Sequence, residues 1–239
     1  MPTEHNPEQN LLLAVLPRAE RTRLFPHLEL VPMVPGQALY DTGGKLPYVY
    51  FPTTAVVSLL YVMIDGRTAE LAVVGSEGVV GISVFMGGES TPSRAVVQSA
   101  GHGYRLQTEL LKLEFTAPGA MLQMLLRYTQ ALIAQMAQTA DCNRRHTLDQ
   151  QLCRWLLLSL DRLPSNEFVM TQDLMAHMLG VGREAATEAA GRLQAAGLIR
   201  HSRSHIKVVD RTGVEARACE CYQAVRRETD HLLPESVFH

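Results

Sequence analysis

Residues 120–163 contain neither glycine nor proline, although the chain of 239 residues has 17 glycines and 12 prolines. Because both residues interrupt helices, a long stretch without them predicts nearly continuous helical structure. Mostly apolar side chains recur along its first part at spacings of four and three residues, which is close to the period of a coiled-coil seam. The seam positions are Met121, Leu125, Tyr128, Leu132, Met136 and Thr139.

Two interpretations of this seam are open. The apolar stripe either packs on a layer of the same chain or forms the contact between the central helices of two copies. We favour the second interpretation. The predicted dimer contacts are then Met121, Leu125, Tyr128, Leu132 and Met136. The charged pair at positions 144 and 145 interrupts the stripe, so a second helix is predicted from Thr147 to Leu163.

The part of the chain before the long helix is rich in turns. Short runs of β-branched and aromatic residues alternate there with glycine, proline and aspartate. The runs span Tyr48–Phe51, Ala55–Val62, Leu71–Val74, Arg94–Gln98 and Tyr104–Leu106. Asp65-Gly66 predicts a hairpin with a type I′ turn, in which both central residues have positive φ. We expect a small antiparallel roll of the jelly-roll kind, preceded by one or two short helices between Pro7 and His27.

Residues Thr171 to Ala196 have the spacing of a helix-turn-helix. Thr171 can cap a first helix, and Gly180 suits the left-handed residue that ends it. A second helix is expected from about Arg183 to Ala195. Small or apolar residues stand at the positions where the two helices must approach closely, namely Ala176, Val181, Ala186 and Ala189.

Such a motif binds DNA by placing its second helix in the major groove. Arg183 can donate two parallel bonds to a guanine edge, and Glu184 can accept a bond from cytosine. Two short strands with a polar tip, after Gly197, predict a wing that contacts phosphates. The predicted DNA-binding residues are Gly182, Arg183, Glu184, Thr187, Glu188, Arg200, His201, Arg203 and Lys207. The alternative is an ordinary solvated Arg–Glu face beside a helix N-terminus.

The net charge of the whole chain is -2, which argues against a surface that is basic all over. From Arg183 to Lys207, however, five arginines or lysines stand against two acids, so the local balance is +3. The predicted contact surface is therefore a modest local patch. Because such a patch neutralises few phosphates, useful affinity depends on dimerisation.

This order of a roll, a long helix and a helix-turn-helix resembles the Crp/Fnr family of bacterial transcription regulators. The most specific motif is Gly180-Val181-Gly182-Arg183-Glu184. The resemblance implies an α+β chain with a cyclic-nucleotide-binding-like sensor roll at 1–117 and a dimerisation helix at 118–140. A winged helix-turn-helix with a C-terminal helical extension follows at 141–239. The resemblance also implies a cytoplasmic homodimer that binds double-stranded DNA and acts with RNA polymerase.

Two positions of the recognition helix depart from the family pattern. Gly182 replaces a serine that usually caps this helix, and Glu188 replaces a basic residue of the cAMP-responsive members. The resemblance therefore does not imply the DNA site of the cAMP receptor subgroup.

The sensor half departs further from the family pattern. Family members hold a cyclic nucleotide through a Gly-Glu pair and a later Arg-Ser or Arg-Thr pair. The matching positions predict an effector site at Gly81, Ser83, Ser93 and Arg94. The glutamate position is Ile82, and Ala95 replaces the hydroxyl, so a cyclic nucleotide fits this site poorly. The alternative is that Arg94 forms a structural ion pair, and the effector stays unidentified.

The four cysteines all lie at or after Cys142, and they contain no CxxC pair. Because the oxygen-sensing members of the family use N-terminal cysteines, no iron–sulfur cluster is expected. Cys142 and His146 are four residues apart and could share a metal, while Cys219 and Cys221 could oxidise. Because each pair offers only two candidate ligands, we predict no metal site and no other cofactor.

No nucleophile–base pair, phosphate loop or long apolar span stands out, so neither catalysis nor membrane insertion is predicted. The leading hypothesis is a sequence-specific DNA-binding homodimer whose roll is gated by an effector. The rival hypothesis is a ligand-binding regulatory module that acts through protein partners and keeps the helix-turn-helix as a packing unit. Under the rival hypothesis, substitution of Arg183 leaves the function intact.

Overall fold

The structure is a computed structural model that describes residues 5–88, 90–115, 119–163, 165–202 and 205–233. Arg203, a predicted DNA contact in the wing, lies outside the described residues. None of the described helices is both long and apolar enough to cross a membrane.

The N-terminal part begins with two short helices, α1 (Leu11–Ala14) and α2 (Arg18–Leu24), as the sequence predicted. Seven strands follow: β1 (Glu29–Met33), β2 (Ala38–Tyr40), β3 (Tyr48–Pro52), β4 (Val56–Val62), β5 (Thr68–Val74), β6 (Ser93–Ser99) and β7 (Gly101–Gln107). They form two antiparallel sheets with strand orders β1-β7-β3 and β2-β6-β4-β5. Apolar side chains of both sheets meet between them, which confirms the predicted roll.

The five predicted runs correspond to β3 to β7, apart from Ala55, which precedes β4. The strands β1 and β2 were missed. β1 contains Pro32 and is mostly exposed, and β2 is only three residues long, so neither shows a strong alternating pattern.

The hairpin between β4 and β5 is confirmed, but its predicted type I′ turn is wrong. Gly66 has a φ of 84°, whereas no described residue other than glycine has a positive φ, so Asp65 does not adopt that conformation. The loop is longer than two residues, because the Met63 amide bonds to the Arg67 carbonyl. A longer hairpin loop needs only one left-handed residue.

The helix α3 (Thr108–Glu114) leads towards the central helix α4 (Ala120–Arg145). α4 therefore continues past residue 140, where its end was predicted. The next helix, α5 (Leu148–Leu160), starts at Thr147, whose side chain forms a reciprocal capping box with Gln150. The capping box explains why the helix restarts immediately after the break.

The predicted seam of α4 faces the roll of its own chain. Met121, Leu125, Tyr128 and Leu132 are at most 4% exposed in the roll core, and Met136 packs against it. The four buried side chains cannot reach a second copy, so their assignment as dimer contacts is wrong, while Met136 is only partly covered by the roll. Heptad spacing specifies an apolar stripe, but it does not specify whether a sheet or another helix covers that stripe.

The C-terminal part contains β8 (Glu167–Val169), α6 (Gln172–Leu179), α7 (Arg183–Ala195), β9 (Ile199–His201), β10 (His205–Val208), α8 (Arg211–Arg217) and α9 (Cys221–Leu232). Its three strands form an antiparallel sheet of order β8-β10-β9, and β9 and β10 are the predicted wing. α9 packs along α4, so the end of the described chain returns to the central helix.

The middle of the sheet β2-β6-β4-β5 is covered on both faces. Side chains such as Val57 and Val97 line the inside of the roll. Their neighbours Val56 and Val96 point the other way and share a core with Trp155 of α5. This burial explains why β4 is apolar at most positions, as is usual for strands covered on both faces. The roll and the helix-turn-helix half therefore meet through a continuous apolar contact.

A buried ion pair crosses this contact between the two halves. Arg162, just after α5, lies 2.6 Å from Glu77 of the roll, and the two side chains are 2% and 6% exposed. The Arg162 guanidinium also donates to the Leu158 carbonyl, and the Gly75 amide donates to Glu77. These additional bonds satisfy polar atoms that burial would otherwise leave without water.

A buried hydrogen-bond chain runs beside the ion pair. The Ser58 hydroxyl lies 2.6 Å from Glu70 Oε2 and 3.0 Å from Gln98 Oε1, and Gln98 donates to the Ser159 hydroxyl. Since Ser58 has one hydrogen and Gln98 Oε1 only accepts, a protonated Glu70 completes the chain as donor to Ser58. Burial raises the pKa of Glu70 to about 7, which agrees with this arrangement.

Candidate nucleic-acid interface

The turn between α6 and α7 has the geometry of a helix-turn-helix. The Thr171 hydroxyl caps α6 by accepting a bond from the Leu174 amide, and α6 ends at Gly180, whose φ is 66°. A Cβ on Gly180 would lie 3.2 Å from the Ala69 Cβ of β5, so this glycine also permits close packing on the roll. The predicted core positions Ala176, Ala186 and Ala189 are at most 5% exposed.

The N-terminus of α7 is exposed and has no side-chain cap. Gly182 is the N-cap residue and has no side chain that could accept a bond from the first amides of the helix. Arg183 follows with its side chain 63% exposed, and its guanidinium lies 3.1 Å from Gln172 Oε1 and 3.4 Å from Asp173. These contacts with α6 hold the guanidinium at the start of α7.

The other predicted residues of α7 lie on the same side of the helix. Glu184 and Glu188 are exposed, and the Thr187 hydroxyl donates to the Arg183 carbonyl. Arg192, which contributed to the predicted positive patch, instead forms an ion pair with Asp149 at 2.6 Å. Its charge is therefore offset within the chain, and the patch is weaker than the sequence count indicated.

Among the described residues of the wing, two cationic side chains are exposed. Arg200 of β9 and Lys207 of β10 are directly paired across the two strands. Lys207 also lies 3.9 Å from Glu167, while His201 is half-buried. Burial lowers the pKa of His201, so its ring is neutral near pH 7 and adds no positive charge to the wing.

The predicted effector residues are engaged inside the chain. Arg94 forms an ion pair with Asp41 at 2.8 Å, which is the alternative considered for it. The hydroxyls of Ser93 and Thr91 are 2.8 Å apart, and the buried Ser83 hydroxyl has no hydrogen-bond partner among the described residues. Gly81 has a φ of 110° and starts a short helical turn over 82–84.

The space beside the predicted effector residues is largely filled. A Cβ on Gly78 would lie 2.5 Å from the Tyr128 hydroxyl, and a Cβ on Gly81 would lie 3.2 Å from Val49. A solvent-open cavity of about 390 Å³ lies nearby, on the side lined by Lys45, Tyr48 and other residues. In the described part of this loop, Tyr128 therefore occupies space beside the predicted effector residues.

Sequence reasoning missed one cluster of reactive side chains. Cys142, His146, Cys219 and Cys221 lie together, although the sequence separated them into two distant pairs. The sequence shows only the short spacing within each pair, Cys142 with His146 and Cys219 with Cys221. Their meeting depends on how α9 returns along α4, which the sequence pattern did not predict.

The helix-turn-helix formed by α6 and α7 also has counterparts among known proteins. Residues 150–217 match the sequence profile of the Crp-like helix-turn-helix domain. None of the curated proteins matches the chain significantly in sequence. The chain thus combines a double-sheet roll and a central helix with a Crp-like helix-turn-helix domain.

Several solved structures share this fold. A Crp/Fnr-family transcriptional regulator from Eubacterium rectale is 16% identical, with a TM-score of 0.70 and coverage of 88% of this chain and 98% of that one. FixK2 from Bradyrhizobium japonicum is 17% identical, with a TM-score of 0.66 and coverages of 80% and 98%. The c-di-GMP-responsive regulator CLP from Xanthomonas campestris is 17% identical, with a TM-score of 0.62 and the same coverages. These likenesses show that the chain has the fold of these regulators, as the sequence resemblance implied.

Proposed function

We propose that the protein is a sequence-specific DNA-binding transcription regulator that acts as a homodimer. The observation that carries this proposal is the exposed N-terminus of α7, which presents Arg183 and Glu184 beside a helix-turn-helix corner. A helix placed in this way enters the major groove with its first residues at the base edges.

Base recognition is assigned to the first turns of α7. Arg183 matches the donor pattern needed for guanine O6 and N7, and Glu184 can accept from cytosine N4. Thr187 and Glu188 continue the same face towards the next base pairs. The contacts of Arg183 with Gln172 and Asp173 are solvent-exposed, so exchanging them for a guanine costs little.

Phosphate contacts are assigned to backbone amides and to the wing. Gly182 leaves the first amides of α7 without a side-chain cap, and a DNA phosphate is a suitable acceptor for them. Arg200 and Lys207 extend the contact along the strand backbone, and we add Arg203 from the sequence alone. We do not assign a charged contact to His201, because its ring is neutral near pH 7.

The dimer contact is assigned to the exposed face of α4. Leu126, Ile133 and Ala140 are exposed and recur at intervals of seven residues, with Ala137 beside them. Leu126 is 57% exposed and Ile133 is 53% exposed. A second copy of α4 covers such a stripe by coiled-coil packing, and two recognition helices then compensate for the modest charge of each.

Signals from the roll reach the DNA-binding half through two routes. One is the central helix α4, and the other is the contact between α5 and the sheet β2-β6-β4-β5 of the roll. We propose that an effector or a protein contact at the roll changes these contacts and so resets the spacing of the two recognition helices. The regulator then acts on RNA polymerase at its target promoter. We place the protein in the cytoplasm, where its cysteines stay reduced.

The deciding experiment selects binding sites from random duplexes and then measures affinity for the selected site. The expected site is a pseudo-palindrome with half-sites about one helical turn apart. Arg183→Ala should weaken binding by about 5- to 150-fold per half-site, because each base contact discriminates by about 1–3 kcal/mol. Arg227→Ala, on the exposed side of α9, is the matched control and should bind normally.

Two results would overturn the proposed function. One is a selection that yields no preferred sequence at moderate salt. The other is an Arg183→Ala variant that retains full regulatory activity, which is what the rival protein-partner module predicts.

The assignment of the dimer face has its own test. Leu126→Glu combined with Ile133→Glu should convert the dimer to a monomer in sedimentation analysis, because it places charges inside the packed stripe. Met86→Glu changes an equally exposed apolar residue of the roll and should leave the dimer intact. A dimer that survives the double substitution would place the interface elsewhere.

A further inference from the structure

Four sulfur and imidazole donors meet where α9 begins against the end of α4. Cys142 and His146 come from the last turn of α4, and Cys219 and Cys221 come from the junction of α8 and α9. One donor atom of each residue lies within 4.8 Å of the other three. The three cysteines are at most 4% exposed, so their sulfur atoms share a largely dry site.

We propose that Cys142, His146, Cys219 and Cys221 bind a single Zn²⁺ ion in a closed tetrahedral site. Three thiolates and one imidazole form a donor set that zinc prefers. A closed set of four protein ligands is typical of a structural ion, since catalytic zinc keeps one position open.

The observed spacing is already close to that of a tetrahedral ion. In a tetrahedral site, zinc bonds of about 2.3 Å to sulfur and about 2.1 Å to nitrogen place two sulfurs about 3.8 Å apart, and sulfur and nitrogen about 3.6 Å apart. Cys142 Sγ lies 3.5 Å from Cys219 Sγ, and Cys221 Sγ lies 3.5 Å from His146 Nδ1. Small side-chain adjustments therefore suffice to complete the site.

The compact spacing also argues for one ion. A two-iron cluster binds a separate pair of ligands at each iron, and its sulfide bridges hold those pairs apart. A disulfide between Cys142 and Cys219 would use two of the four donors and leave Cys221 beside His146 unexplained. A mononuclear ion is the arrangement that uses all four donors.

The surrounding residues orient the donors. His146 Nε2 lies 3.4 Å from the Glu220 carboxylate, which favours the tautomer with a proton on Nε2 and a lone pair on Nδ1. Nδ1 is the nitrogen that faces Cys221. The Gln138 amide donates to Cys221 Sγ at 3.0 Å, a bond that suits a thiolate.

A buried cation balances the charge of the site. Zn²⁺ with three thiolates has a net charge of -1, and the three thiol protons leave to solvent on binding. Arg154 is 5% exposed and donates to Thr139, one helical turn before Cys142. Its positive charge offsets the anionic centre in the low-dielectric interior.

The test uses the full-length protein purified under reducing conditions, and its metal content is measured directly. We expect one zinc per chain. Replacing zinc with Co²⁺ should give the visible absorption of a four-coordinate ion together with a thiolate charge-transfer band. Both readouts are independent of DNA binding, so their outcome is separate from that of the proposed function.

Substitutions define the ligand set. Cys221→Ser and His146→Asn should abolish stoichiometric zinc binding, whereas Cys153→Ser should retain it. Cys153 is the matched control because it is also fully buried but lies outside the cluster. Glu220→Gln should weaken zinc affinity by about 10- to 100-fold by removing the partner of the histidine.

The proposal is overturned if the reduced wild-type protein binds no Co²⁺ with this spectrum. It is also overturned if mass analysis shows that Cys142 and Cys219 form a disulfide in the freshly purified protein. Because these measurements use the wild-type chain, they decide the question even if a cluster variant does not fold.

Discussion

The two faces of the DNA-binding half differ in how their polar groups are satisfied. Towards the roll, Arg162 is paired with Glu77 and Glu70 is hydrogen-bonded, all in the dry interior. Towards solvent, Arg183 and Arg200 are exposed, and the contacts of Arg183 are with neighbouring exposed side chains. The first face fixes the position of the half, and the second leaves its charges available to a partner.

This difference indicates how the two faces divide their roles. A buried polar group must keep its partner, because breaking the pair leaves an unsolvated charge. An exposed group can change partners at little cost. Substitutions at the inner face should therefore change stability, and substitutions at the outer face should change DNA binding.

The largest expected effect is at the buried ion pair. Arg162→Ala should reduce the free energy of unfolding by about 3–5 kcal/mol in urea titrations, because Glu77 is left buried without its cation. Glu77→Leu combined with Arg162→Leu removes both charges and should recover most of the loss. A loss below about 1 kcal/mol for Arg162→Ala would show that the contact between the halves is open in solution.

A smaller, pH-dependent effect is expected at Glu70. Its pKa is about 7 in the folded chain and 4.5 in the reference state, so the folded chain binds the extra proton between these values. Stability should therefore fall as pH rises from 4.5 to 7, by up to about 3 kcal/mol.

Glu70→Gln should remove most of this pH dependence and make the protein more stable than wild type at pH 8. Glu109→Gln, in an exposed carboxyl, is the control and should keep the wild-type profile. Chemical unfolding at a series of pH values measures both variants. A stability difference between wild type and Glu70→Gln that does not change between pH 4.5 and 7 would contradict the assignment.

The smallest expected effect is at the outer face. Arg200→Ala should weaken binding to all DNA sequences alike, because a phosphate contact does not read bases. The slope of log affinity against log salt should become shallower by about one per protomer. Titrations of specific and random duplexes at several salt concentrations test this. A selective loss for the specific site would instead make Arg200 a base contact.

The parts of the site that could be predicted from the sequence are those specified by local rules. Gly180 at the left-handed turn, the Thr171 cap and the small Ala176 define the helix-turn-helix within a short segment, and the structure has all three in place. The exposed Arg183 follows from the same segment, since its position on α7 is set by helical geometry.

The parts that could not be predicted depend on contacts between distant segments. The stripe containing Leu125 could equally have been covered by a second helix, and only the tertiary packing places it on the roll. The meeting of Cys142 with Cys219 depends on the return of α9 along α4. The sequence of β4 does contain one such signal, because the strand is apolar on both faces and this indicates a second covering layer.

The two-faced sheet also has a consequence for the synthesis of the chain. The strands β2 to β6 leave the ribosome before α5, so the roll emerges while the outer side of this sheet, including Val56, Leu60 and Val96, still lacks its cover. During that interval the nascent chain exposes an apolar, strand-rich surface of the type that chaperones bind. If the two halves were expressed as separate fragments, the apolar surface through which they meet would stay exposed in both.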